Sequence, residues 1–556
     1  MKLRKHNVLS YLEDKTDLYA DKVAVGMKTA LGWEEFTYSG LGMMSRKIAH
    51  YLMNELDVQK GERLAILAES KPEYGACVFA SVLSGMVTVP LDIKLTEYEL
   101  ESILTDCEPT VLMASRAYIE KAKKLQEKIT SIKNIILMDE PMYNMDLTSI
   151  YALPDKYSCK WRHRSSKSTA LIIYTSGTTG SPKGVEISFQ NMLAQLDSFD
   201  DFIDKIIPRP QVRVLSILPM NHLFEMTIGF STFLSYGFSV YYAKSLKPKD
   251  ILSIMREKQI EFMLVVPAFL KLLKAGIEND LANAPLHVQA MFNFLYHVAK
   301  FTPFYCIKKL LFKPIHDKFG GHFAGCIAGG APLDIEVAKF FERIGIRVFQ
   351  GYGLTETSPV VSVNYDRRHD ISSVGRPLKS YEAKIDPETG ELLLKGPSVM
   401  KGYHNQPEMT AEVLTEDGWL HTGDIATIKK GHLYITGRIK NMIVLSGGKK
   451  VFPEEVEAVL EKSPLFAELC VLGVKRTFGA KDGTEEVAVV VVPKDSVMAG
   501  KDWKEVEQIV RDEVKKLSLR LTAYKRPVNV TVTKDPLPRT TTRKVKRKEV
   551  KELVKA

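Results

Sequence analysis

The stretch "YTSGTTGSPKG", Tyr174 to Gly184, follows the apolar run "ALIIY" and gathers three glycines, a series of Ser and Thr hydroxyls and one lysine. Hydroxyls, unencumbered backbone amides and an ammonium together suit an anion such as phosphate. The P-loop pattern needs Gly before its lysine and Ser or Thr after it. Here Lys183 follows Pro182 and precedes Gly184, so both requirements fail, and the proline removes one backbone donor. A flexible linker shares this composition, and the loop alone leaves both readings open.

Five more segments keep it company: "GGAPL" at 329–333, "GYGLTET" at 351–357, "HTGD" at 421–424, "GRIKNMIVLSGGKKVFPEEVE" at 437–457 and "LPRTTTRK" at 537–544. Taken singly, Glu356 reads as a surface acid, Tyr352 as core, Asp424 as a turn residue and the basic run around Lys544 as a solvated face. In this order and spacing, over essentially the whole chain, the six segments resemble the adenylate-forming superfamily of acyl-CoA synthetases, peptide-synthetase adenylation domains and luciferases.

The resemblance implies that a carboxylate is coupled to the α-phosphate of ATP, expelling pyrophosphate, and that a thiol then displaces AMP. It assigns the β- and γ-phosphates to Thr175, Ser176, Gly177, Thr178, Thr179 and Gly180, with Lys183 in electrostatic support. Glu356 matches the Mg2+ position, Thr355 the α-phosphate contact, and Tyr352 with Gly353 the aromatic turn that stacks on adenine. Gly329, Gly330 and Ala331 would let the base approach the backbone. Asp424 matches the ribose acceptor, Arg438 a second ribose or phosphate contact, and Lys440 the hinge about which a C-terminal lid turns between half-reactions. Lys544 matches the lysine that reaches from the lid to the adenylation site. An ammonium ~4 Å from a phosphate oxygen is worth about 4 kcal/mol at an effective dielectric of 20. The family commonly has Gly before this lysine, whereas this chain has Arg543.

For the acid, "LPMNHLFEMTIGFSTFLSYG" resembles the segment in acyl-CoA synthetases where a histidine, here His222, lies near the acyl and thiol paths and the next helix lines the acid pocket. A buried structural histidine is the competing reading. A long pocket is expected, with Gly229, Ala324 and Gly325 near it and no tryptophan in "GYGLTET". The insert "MFNFLYHVAKFTPFYCIKKLLFKPIHDKFG" is similar to a helical insert typical of long-chain fatty acid CoA ligases. It is expected as a helical hairpin on the large domain, although its aromatics with Lys300, Lys308, Lys309 and Lys313 also suit a peripheral contact with an anionic membrane. Coenzyme A is the favoured acceptor, an acyl carrier protein the alternative. A non-catalytic nucleotide or fatty-acid binder with a disabled lid is the reading from another class.

These residues require a scaffold, and the chain supplies one. Short apolar runs alternate with helical periods, as in "RLAILAE" before "KPEYGACVFASVLSG" and "TVLMAS" before "YIEKAKKLQEKI", the pattern of helices stacked on a mostly parallel sheet. From about Val374 short alternating strands suggest a small β-barrel-like subdomain, and after Arg438 a compact α+β piece begins. The expected fold is α/β: a large N-terminal domain of stacked βα units over 1–437, its β-rich subdomain over about 374–437, and a mobile C-terminal lid over 438–556.

Composition agrees with a globular chain. The 556 residues exceed what one core usually serves, and 26% charged with 45% hydrophobic residues exclude a fibrous or largely disordered protein. The net charge of +10 suits anionic small molecules, an acidic carrier or a membrane surface, and is too diffuse to imply nucleic acid. Six cysteines without a CxxC pair suggest buried, reduced thiols and no zinc. The first residues are polar, with no signal-type apolar core, so a cytoplasmic location is expected.

Overall fold

The computed structural model describes residues 14–555 except 142–145, 158–160, 163, 176–181, 208–211, 366–369, 446–448, 476–484 and 540–544. By contact the chain divides into two compact units: residues up to Glu382 with Leu394–Leu420, and Ala383–Leu393 with His421 onward. The division differs from the boundary expected at 437, because the four-stranded sheet of the β-rich region clusters with the C-terminal unit.

The first unit carries two large sheets where the sequence suggests one. In the nine-stranded sheet Val23–Thr29, Ser239–Tyr242, Arg213–Ser216, Phe262–Val265, Gly325–Ala328 and Arg347–Tyr352 run parallel. Antiparallel strands close both edges, Gly32–Thr37 on one side and Ser362–Val363 with Arg376–Pro377 on the other. The seven-stranded sheet has a parallel centre of Thr169–Thr175, Val87–Pro90, Arg63–Leu67, Pro109–Ala114 and Asn134–Leu137. Its other edge is antiparallel, Lys183–Ser188 and then Gly402–Tyr403. Parallel strands buried on both faces need continuous apolar sequence, which "FMLV" and "NIIL" supply.

Helix Pro72–Ser84 is buried at every residue, which its apolar composition on all sides permits. Pro72 opens it, and Gly85 ends it at φ 75°, a left-handed conformation that glycine adopts without strain. It packs on helix Tyr38–Asn54, whose N-cap Thr37 accepts from the Gly40 amide.

The second unit holds the antiparallel sheet of Glu382–Ile385, Glu391–Lys395, Leu420–Lys429 and His432–Arg438. Beyond it, strands Phe466–Lys475, Glu485–Pro493 and Asn529–Val532 pack against helices Pro453–Leu460 and Trp503–Ser518. Of the described cysteines Cys77, Cys107, Cys326 and Cys470 are buried as expected, whereas Cys306 is exposed on the insert. No helix among the described residues is long and apolar enough to cross a membrane.

Candidate active site

The glycine-rich stretch is flanked by two paired strands. Strands Thr169–Thr175 and Lys183–Ser188 pair antiparallel, with Thr175 opposite Lys183 at their open end. Ser176, Gly177, Thr178, Thr179 and Gly180 lie outside the described residues. One strand of the pair is held to the segment that follows it in the sheet through Glu186. His404 Nδ1 lies 2.7 Å from Glu186 Oε1, and Thr169 donates to Oε2 at 2.6 Å. Lys401 bonds both Thr169 and Glu186, at 2.7 and 3.1 Å. These contacts, His404 foremost, hold the Glu186 carboxyl down to about 2.

The clamp fixes Tyr403, which lies between two predicted site residues. The Lys183 ammonium sits over the Tyr403 ring, 5.0 Å from its centroid, and the Tyr403 hydroxyl donates to Glu356 Oε1 at 3.0 Å. Burial, then the neighbouring Glu356 charge, raises the Tyr403 phenol above its ordinary value. Glu356 is half-buried in the single turn Thr355–Thr357, with its backbone carbonyl bonded by the Met400 amide at 2.9 Å.

The remaining predicted residues of this unit cluster at the carboxyl ends of parallel strands, where open α/β sheets bind ligands. Gly329, Gly330 and Ala331 leave strand Gly325–Ala328, and Gly330 and Ala331 are exposed. Gly330 has φ 80° with nothing within 4 Å of a notional Cβ, so backbone conformation rather than space selects glycine. Tyr352 ends the adjacent strand Arg347–Tyr352 and accepts from the Val361 amide. At Gly353 a Cβ would meet the Pro359 carbonyl oxygen at 1.8 Å, so any side chain forces the backbone apart. Gln195 ties this loop to helix Phe189–Ser198 by accepting from the Val360 amide at 3.0 Å.

His222 is half-exposed in the segment leaving Arg213–Ser216, and Phe224 packs within 3.3 Å of a notional Cβ on Gly329. The buried-histidine alternative is therefore not the observed placement. The next turn, Glu225–Thr232, winds as a π-helix, a form that recurs at functional sites. Glu225 is buried with neither carboxyl oxygen hydrogen-bonded. Burial pushes its carboxyl up to about 8, an effect that Ser216 opposes. The expected roles of the small residues here need correction. Glu225's Oε1 lies 2.3 Å from the Cβ position of Gly229, so that glycine makes room for a carboxyl rather than for a ligand. Ala324 and Gly325 sit at the amino end of their strand, and the Arg347 carbonyl at 2.7 Å explains the glycine.

At the far end of this segment an apolar cavity opens between helices Tyr38–Asn54, Pro72–Ser84 and Phe189–Ser198. Leu41, Phe79, Val82, Met192, Leu196 and Leu234 form most of its wall, with Lys15 and Thr16 among the polar residues. Most of its space is open to solvent at the mouth, and its enclosed part is small.

In the second unit Asp424 is 2% exposed and faces Arg438 across the strand pair, with Arg438 Nε 2.7 Å from Asp424 Oδ1. Gly423 (φ 70°) donates its amide to Glu391 Oε1 at 2.7 Å, and His421 Nδ1 lies 2.9 Å from Oε2 of the same carboxyl. Lys440 is exposed in the turn Ile439–Asn441 just beyond Arg438. Lys544 and Arg543 lie outside the described residues. The chain on either side is anchored: Arg539 bridges to Val545, and Arg547 Nη1 donates to Glu457 Oε1 at 2.5 Å and to the Val471 carbonyl at 2.9 Å.

Thus Lys183 and Glu356 come together around Tyr403, and Gly329 comes beside the His222 segment, while Asp424 and Arg438 meet in the other unit. Sequence reasoning passed over Tyr403, Glu186 and Glu225. Tyr403 and His404 lie in "KGYHNQ", too short for periodicity to register, while Glu225 is hidden inside an apolar run.

The chain is similar to known proteins in sequence and in fold. The family described as AMP-binding enzyme matches residues 12–404, and the AMP-binding enzyme C-terminal domain matches 455–544. A long-chain-fatty-acid–CoA ligase of Escherichia coli O6:H1 is 29% identical, covering 99% of this chain and 95% of its own. Among solved structures, the ATP-bound RpMatB-BxBclM chimera B1 superposes with TM-score 0.79 at 26% identity, over 98% of both chains. An anthranilate CoA ligase, AuaEII, bound to anthranoyl-AMP shares the fold with TM-score 0.77 at 21% identity, over 100% of this chain and 99% of its own.

Proposed function

The chain belongs to the AMP-binding enzyme family, within the AMP-forming acid–CoA ligase superfamily, and from that premise we propose that it activates a fatty acid of long rather than short chain. The observation that carries the chain-length reading is the apolar cavity at the far end of the segment that begins at His222. A carboxylate held near His222 would direct its hydrocarbon along the Glu225–Thr232 helix toward Leu234 and Met192. Each buried methylene contributes about 0.8 kcal/mol, so the preference is graded rather than absolute. The full-length relatives named for long-chain substrates support the same reading.

In this reading the Thr175 hydroxyl, the loop that follows it and Lys183 bind the β- and γ-phosphates, and Thr355 contacts the α-phosphate. Tyr352 stacks on adenine above the open backbone of Gly329, Gly330 and Ala331, with Gly353 turning the chain below it. Asp424 accepts from the ribose hydroxyls, oriented by Arg438. Glu356 fits a magnesium ligand: among the described residues its Oε1 is steadied by Tyr403 while Oε2 carries no hydrogen bond. Magnesium bound there would neutralise phosphate charge during attack on the α-phosphorus.

The acid's carboxylate oxygen attacks that phosphorus, and pyrophosphate departs with the bonding electrons. Lys544 stabilises the shifting negative charge, and a thiol, that of coenzyme A, then attacks the acyl carbon and expels AMP. Rotation of a lid beginning at residue 438, about Lys440, separates the two half-reactions.

The test is acyl-CoA formation, read by mass spectrometry, over saturated acids from acetate upward, with coenzyme A or an acyl carrier protein as acceptor. Turnover rising with chain length and requiring coenzyme A is expected. A preference for acetate or an aromatic acid, or transfer to the carrier protein alone, contradicts the reading.

A further inference from the structure

Helix Glu97–Cys107 begins with charges that suit its dipole and ends with one that does not. The Thr96 hydroxyl accepts from the Glu99 amide, the Glu99 carboxyl accepts from the Thr96 amide at 2.8 Å, and Glu97 and Glu99 place negative charge at the positive end. The last turn carries Asp106 and no basic residue, so a carboxylate stands at the negative end. Arg63, which reaches this end, bonds the carbonyls of Cys107 and Glu108. Helix stability therefore does not account for an acid at position 106.

Its partners do. Asp106 Oδ2 accepts from the Tyr174 hydroxyl, while its Oδ1 and its carbonyl oxygen accept from Asn405 Nδ2 at 3.3 and 3.2 Å. Tyr174 immediately precedes Thr175, and Asn405 lies two residues beyond Tyr403. The Tyr174 ring packs on the core cluster that includes Leu100, Ile103, Leu104 and Cys107. Burial above all raises its phenol well beyond the ordinary value, so the hydroxyl keeps its proton for Asp106. Gly184, opposite Tyr174 in the strand pair, leaves room for the ring: a Cβ there would meet Ile172 Cγ2 at 2.9 Å, Tyr174 Cζ at 3.0 Å and His404 Cβ at 3.1 Å.

The segment around Tyr403 is thus pinned on two sides. The His404 amide donates to the Gly184 carbonyl at 2.7 Å and its ring meets Glu186, while Asn405, in the left-handed region at φ 53°, is held by Asp106. Between them Tyr403 spans Lys183 and Glu356.

We propose that Asp106 is a positioning residue for the triphosphate of ATP. Through Tyr174 and Asn405 it fixes the Thr175 and Lys183 ends of the paired strands against the segment that carries Tyr403. It thereby sets the spacing between the β- and γ-phosphate contacts and the metal ligand. The role rests on the nucleotide reading above.

The experiment is calorimetric titration of the full chain with ATP and, separately, with AMP, both with magnesium. AMP lacks the β- and γ-phosphates and reports the remainder of the nucleotide site. Asp106→Ala is expected to weaken ATP binding by about tenfold while AMP affinity stays within about twofold of the parent's. Tyr174→Phe keeps the ring and removes the hydroxyl; it is expected to show the same pattern with a smaller loss, and it carries the test should the alanine variant fail to fold. The double variant is expected to lose no more than Asp106→Ala alone, because the hydroxyl acts through that carboxylate. In steady state the KM for ATP should rise, with the KM for the acid unchanged.

Equal losses for ATP and AMP would overturn the proposal, since they mark general support of the fold. Losses that add in the double variant would overturn it too. A parent without affinity for ATP defeats the nucleotide reading itself, whereas a parent that binds ATP no better than its variants defeats the role of Asp106 alone.

Discussion

The Tyr403 hydroxyl donates to Glu356 Oε1 at 3.0 Å while the ring of the same tyrosine lies beneath the Lys183 ammonium. One side chain thereby spaces the proposed metal ligand from the proposed phosphate contact. Tyr403→Phe removes the hydrogen bond and keeps the ring. A hydrogen bond to a charged group is worth about 1.5–3 kcal/mol, so kcat/KM for acid-dependent pyrophosphate release should fall by roughly 10- to 100-fold with the fold intact. The midpoint of magnesium activation should rise as well, and an unchanged midpoint would deny Tyr403 this role.

Asp424 is buried against Arg438 at 2.7 Å, and in the proposed reading its carboxylate also accepts from ribose. Asp424→Asn replaces an anionic acceptor with a neutral amide. ATP affinity, measured by calorimetry, should drop by about 10-fold or more. A variant binding ATP as tightly as the parent would remove Asp424 from the nucleotide site.

Glu225 provides a pH signature in stability. Its folded carboxyl titrates at about 8 against an ordinary 4.5. Between those values the folded chain holds a proton that the unfolded chain releases, so its contribution to stability declines as pH rises from about 4.5 to about 8. Glu225→Gln should abolish that decline, leaving the variant more stable than the parent at pH 8 and closer to it near pH 5. Thermal unfolding across this range checks the sign, and parallel curves would refute it.

Glu186 works in the opposite direction. Held at about 2 by His404, Thr169 and Lys401, it stabilises the fold fully above its ordinary value of 4.5 and loses that contribution as pH falls toward 2. Glu186→Gln should be less stable than the parent at pH 6, with the gap closing in acid. A gap constant from pH 6 to pH 3 would show that the carboxylate's charge is not what the clamp uses.

Much of the scaffold was legible because periodicity reports it directly. "RLAIL", "TVLMA" and "EEVAVVVVP" are observed strands, and "KPEYGACVFASVLSG" spans an observed helix. The division into two large sheets was not legible, since strand order depends on pairings between runs far apart in the chain, such as Thr88 with Leu171. Glycines were read as open space, and two proved otherwise: Gly229 accommodates Glu225 and Gly325 the Arg347 carbonyl. The missed residues share a cause. Tyr403 and Glu186 gain meaning only when an edge strand from residue 402 pairs with one from residue 186.

The central claim is that acid and ATP condense before any thiol is needed. Incubating the protein with ATP, magnesium, labelled pyrophosphate and a long-chain fatty acid, without coenzyme A, tests it most directly. The account predicts acid-dependent exchange of label into ATP, greatly reduced in Lys544→Ala. Exchange that is absent, or ATP consumption that yields ADP regardless of the acid, would contradict it.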